Sequence, residues 1–129
     1  MEHEEAFVQA FILPDKQARY LAKLSSRKHR GGFLDRLNHH LDFDPAFATQ
    51  VPAADQWAQK IEATLRSRGA PDTCHVISTN TEWDNLDMPL RDALNLVCGS
   101  SIGTVVCCVP GRLAYYEAED LRRRYIFKR

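Results

Sequence analysis

The run Gly99–Ala118, GSSIGTVVCCVPGRLAYYEA, constrains the fold more than any other part of the chain. Thr104 to Val109 is rich in β-branched residues and cysteine. A Pro110-Gly111 turn follows, and Leu113-Ala114-Tyr115-Tyr116 then resumes the apolar pattern. Two strand-like runs about a short turn predict an antiparallel hairpin. An isolated hairpin is marginal in water, so helices from elsewhere must cover one of its faces.

The remainder of the chain offers those helices. Phe7, Val8, Phe11 and Ile12 predict a short helix over Glu5 to Leu13, with a strand as the rival reading. Pro14 opens a second helix to about Ser26, burying Tyr20, Leu21 and Leu24. Arg30-Gly31-Gly32 breaks it. A third helix runs from about Gly32 to Leu41 on Phe33, Leu34, Leu37 and Leu41. Asp42 to Pro52 reads as a loop plugged by Phe43 and Phe47. Trp57, Ile61 and Leu65 mark the buried stripe of a helix from Ala53 to Arg68, with Gly69 placed to cap it.

Thr73 to Thr79 predicts a strand, and a polar loop carrying Trp83 leads to Asp87 as an N-cap. Leu90, Ala93, Leu94 and Val97 then line a helix ended by Gly99. Were the strands flanking this helix neighbours in one sheet, the helix would be a crossover of right-handed sense. Glu119 to Phe127 reads as a last short helix. The expectation is α+β: a small three-stranded sheet in the C-terminal half covered by four to six helices, with residues 1–129 forming one globular domain.

Apolar residues make up 44% of the chain and charged ones 26%, a balance that argues against disorder. No apolar run reaches the roughly 18 residues of a membrane span, and Met1-Glu2-His3-Glu4-Glu5 is unlike a signal peptide. A cytoplasmic protein without membrane partners is therefore expected. Cys74, Cys98, Cys107 and Cys108 form no C-x-x-C pair and read as buried thiols. On a strand, Cys107 and Cys108 point to opposite faces and share no metal ion.

Net charge is zero, yet the signs are segregated. Lys16, Arg19, Lys23, Arg27, Lys28 and Arg30 lie in a stretch with no acid between Lys16 and Leu34. The first four recur at helical spacing on one stripe, beside the Tyr20-Leu21-Leu24 face, and Lys28 to Arg30 extend it into the glycines. Such a stripe suits phosphates of nucleic acid or of a smaller ligand. The competing reading is a solvated face paired with acids of Asp72 to Asp92. Arg122, Arg123, Arg124, Lys128 and Arg129 form a second basic run.

Other constellations are weaker. Asn38-His39-His40-Leu41-Asp42-Phe43-Asp44 gathers metal-ligand types, but adjacent helical histidines diverge by about 100°, and the segment reads as a helix end and an Asp-Pro turn. No metal and no cofactor are expected. Gly99-Ser100-Ser101-Ile102-Gly103 matches G-x-S-x-G in letters, but a nucleophile elbow needs a strand before the serine and a helix after it; the order here is reversed. His75, Cys107, Arg112 and Tyr116 are candidates for a pocket on the sheet. Three functions follow. The leading one is a binding or regulatory module gripping an anionic partner through the basic stripe. The alternatives are a small enzyme around His75, Arg112 and a cysteine, and a homo-oligomeric or protein-interaction domain.

Overall fold

A computed structural model describes residues 2–120 and 123–129. Its centre is a six-stranded antiparallel sheet, not the small three-stranded one expected from sequence. Five helices, α1 (Glu2–Phe11), α2 (Gln17–Leu24), α3 (Arg30–His40), α4 (Ala58–Ser67) and α5 (Leu90–Val97), join six strands. The strands are β1 (Ala48–Gln50), β2 (Thr73–Ser78), β3 (Leu86–Pro89), β4 (Thr104–Val109), β5 (Leu113–Glu117) and β6 (Arg124–Lys128), in the spatial order β1-β6-β5-β4-β2-β3.

The β4–β5 hairpin lies at the middle of this sheet, with Val105 opposite Tyr116 and Val106 opposite Tyr115. Both of its faces are covered. Ile77, Val105, Cys107, Ala114, Tyr116 and Phe127 pack with side chains of α1, α2 and α3. On the other face Val76, Val106, Cys108, Leu113, Tyr115 and Ile126 pack with α4 and α5. A continuous apolar strand, rather than an alternating one, is the mark of two covered faces. Cys107 and Cys108 accordingly enter opposite cores.

Three strands escape the sequence pattern. β1 has three residues and β3 four, too short to display a period of two. β6 replaces the helix expected over Glu119 to Phe127; its Ile126 and Phe127 face opposite cores, so neighbouring apolar residues are both buried. Leu121 and Arg122, part of that expectation and of the C-terminal basic run, lie outside the described residues. β2 and β4 are neighbours but antiparallel, so the handedness rule for parallel crossovers does not govern α5.

The helices depart from expectation chiefly at their ends. The first, drawn between helix and strand, is α1. Gly31 and Gly32 sit inside the first turn of α3, and the chain breaks instead at Ser25 and Ser26. Asp87 lies on β3, and the N-cap of α5 is Pro89, the last residue of that strand. α4 begins at Ala58, which leaves Trp57 62% exposed rather than buried beside Ile61 and Leu65. Gly69 follows α4 at φ +104°, and the Ala70 N–H donates to the Leu65 carbonyl at 3.0 Å, closing the helix end. Beneath α1, Phe7, Phe11, Phe43, Tyr116 and Phe127 form a tilted and edge-to-face cluster. Each such pair adds about 1 kcal/mol beyond its buried area.

Candidate functional site

Two features stand out on the helical face of α1 to α3: an outer band of cations, and a charged cluster beneath it. Arg19 and Lys23 are one turn apart on α2, Lys16 precedes that helix, and Arg27 and Lys28 lie on the 3-10 turn joining α2 to α3. Arg19, Arg27 and Lys28 are exposed, and Lys16 and Lys23 half-buried. Among the described residues none of these five forms an ion pair, whereas Arg30 does. The Lys23 ammonium lies over Gly32, where a Cβ would stand 3.2 Å from Nζ. That close approach brings the Lys23 ammonium beside the first turn of α3.

Arg30 belongs to the inner cluster. Its Nη1 and Nη2 donate to both oxygens of Glu4 at 2.7 Å, and its Nε and Nη2 donate to Asp84 at 2.6 and 2.8 Å. Two bidentate bonds leave this guanidinium little capacity for an external anion. Glu4 is fully buried and also receives a bond from His75 Nε2 at 2.9 Å. His75 Nδ1 meets Asp87 at 2.7 Å, and the His3 ring stacks on His75 at 5.5 Å. Burial alone would raise the Glu4 pKa, but bonds from Arg30 and His75 outweigh it and hold the carboxyl at about 2. Burial likewise works to lower His75, yet Glu4 and Asp87 carry its pKa above the ordinary 6.5.

The pocket residues expected from sequence do not converge. His75 and Cys107 face one another across β2 and β4, but Cys107 is buried in the core, and burial drives its thiol pKa far up. Arg112 is exposed in the hairpin turn, and the Tyr116 hydroxyl donates to Asn38 at 3.0 Å. An open cleft of about 360 Å³ does lie at this end of the sheet, lined by His3, Thr73, Cys74, Asp87 and Cys108 among others. Burial pushes the Cys74 and Cys108 thiols up to about 12, so neither is a ready nucleophile.

Other residue types singled out in the sequence serve the fold. His39 bonds to Asp35, Asp42 accepts from the Tyr20 hydroxyl at 2.8 Å, and Asp44 caps the 3-10 turn at Ala46. The Gly99–Gly103 loop closes on the buried carboxylate of Glu117, which accepts from Gly99 N, Ser101 N and the Ser100 hydroxyl. In the C-terminal run, Arg124 is buried beside Glu117, and the Arg129 guanidinium lies over Phe47 and donates to the Ala10 carbonyl. Glu4, Asp84 and Asp87 escaped sequence reasoning as site residues. Their side-chain partners lie 12 to 71 positions away, and the local signal of Glu4 is that of a helix-start acid. No helix among the described residues is long and apolar enough to cross a membrane. No family model, curated protein or solved structure matches this chain.

Proposed function

We propose that the chain is a binding module that holds the phosphate backbone of a nucleic acid against α2 and the turn leading into α3. The observation that carries this reading is the set of five cations, Lys16, Arg19, Lys23, Arg27 and Lys28, with no carboxylate partner among the described residues. Charges left unmatched on one face favour a polyanion and release its counterions on contact. The aromatic side chains of this face, Tyr20 and Phe33, are fully buried and offer no stacking platform. Backbone contact with a duplex therefore fits better than base stacking on a single strand.

An enzyme built on His75, Arg112 and a cysteine finds less support, since both nitrogens of His75 are committed to carboxylates and burial raises the thiol pKa of Cys74, Cys107 and Cys108. An assembly domain also finds less: the large exposed apolar residues among those described are Trp57 just before α4, Leu86 at the start of β3 and Leu96 on α5, and no larger exposed apolar run joins them in the sequence.

Titration of a labelled random-sequence duplex by fluorescence anisotropy tests the proposal. With four phosphate contacts, affinity falls about 10²-fold between 50 and 200 mM salt. The fourfold variant R19E/K23E/R27E/K28E loses binding at both salts while its thermal unfolding stays close to that of the native chain. Absence of binding at 50 mM salt, or unchanged binding by the variant, overturns the reading.

A further inference from the structure

His75 is gripped on both sides: Nε2 meets Glu4 on α1 and Nδ1 meets Asp87 on the edge strand β3. Only a ring carrying both protons can donate to two carboxylates at once. We propose that protonated His75 pins β3 to the sheet, and that loss of one proton to solvent frees Asp87 and lets β3 fray from β2 while α1 stays docked.

The two carboxylates differ in what they can do when a donor is withdrawn. Glu4 is fully buried, and leaving it short of a donor is costly. The Asp87 side chain is 80% exposed and can turn to water. The remaining proton therefore stays on Nε2 toward Glu4, and the bare Nδ1 lone pair then faces the Asp87 carboxylate. Besides the His75–Asp87 contact, β3 is held on one side only, by its ladder to β2, by the Asn85 N–H to Val76 and Leu90 N–H to Asp72 carbonyl bonds at its ends, and by Met88 packed against the core. Pro89 has no N–H, Leu86 is 46% exposed, and β3 has no neighbour on its outer side among the described residues.

The surrounding charges set the sign. Arg30 and Asp84 stand behind Glu4, from α3 and the turn before β3. Across the sheet on β4 lies the Cys107 thiol, which burial keeps protonated. From α1, His3 stacks on His75, with Glu2 acting on it in turn. Burial and the His75 charge both lower the His3 pKa, so His3 gives up its proton at lower pH than His75 does. The His75 pKa lies above its ordinary value of 6.5. The pin is thus complete below about pH 6.5, the unfolded-state value, and is lost as pH rises through the folded value.

Amide hydrogen exchange, corrected for intrinsic rates, tests this in the whole chain from pH 6 to pH 9. Protection of peptides covering positions 84–90 falls about tenfold for each unit by which the His75 pKa is raised, while peptides of the β4–β5 hairpin hold theirs. The variant D87N keeps the Glu4–His75 contact and folds, and because its amide can accept from a protonated Nδ1 or donate to a bare one, its β3 protection no longer follows pH. Unchanged β3 protection across the range in the native chain overturns the proposal. So does a pH-dependent loss that persists in D87N, or one shared equally by the hairpin.

Discussion

Two buried glutamates anchor this molecule in different ways. Glu4 is compensated by full charges drawn from distant segments: the Arg30 guanidinium and His75, with Asp84 sharing Arg30. Glu117 is compensated mainly by neutral donors close at hand: the Gly99 and Ser101 N–H groups, the Ser100 hydroxyl and the Tyr115 hydroxyl at 3.0 Å. Arg124 stands nearby, with its Nε 3.4 Å away. Both side chains are fully buried. The first arrangement ties helices to sheet and responds to protons; the second shapes one loop and its strand. A buried carboxylate therefore reports either long-range assembly or local loop geometry, and its donors tell which.

The sharpest way to break this contrast is to remove each anion. E4A strands the Arg30 and His75 charges and costs about 3–5 kcal/mol in urea unfolding. The same site sets an acid limb. With a folded pKa of about 2 against an ordinary 4.5, Glu4 contributes stability above about pH 4.5. That contribution drains away as pH falls toward about 2. A stability–pH profile of E4A lacks this limb, and an unaltered limb in the variant would dissolve the contrast. E117Q keeps an acceptor for the loop N–H groups but turns an amide N–H₂ toward other donors, and loses about 1–3 kcal/mol by the same measurement. Y115F removes one neutral donor to Glu117 and costs about 1 kcal/mol. A Y115F loss as large as that of E4A would show that neutral donors matter as much as charges here.

The sequence made local features legible and distant partnerships illegible. The hairpin, β2 and the apolar faces of α3 and α5 are visible because each carries its period within a few residues. β1 and β3 carry none, since strands this short exist only through their neighbours β6 and β2. Gly31 and Gly32 read as a break, yet the helix absorbs them because Phe33 and Leu37 are buried in the core below. Arg30 looked like one more cation of the stripe. Its double engagement depends on Glu4 and Asp84, and no spacing rule connects positions so far apart. Of the expected basic set, five residues have no ion-pair partner among the described residues, and this division could be drawn only in three dimensions.

The aromatic cluster beneath α1 bears on how the chain is made. Phe7, Phe11 and Phe43 close around Phe127, and Arg129 reaches back to the Ala10 carbonyl. Phe7, Phe11 and Phe43 are synthesised well before Phe127, so during vectorial synthesis the part of their surface that Phe127 covers stays open until β6 has followed. A chain stopped a few residues short of Phe127 would forfeit the keystone of its earliest-made layer.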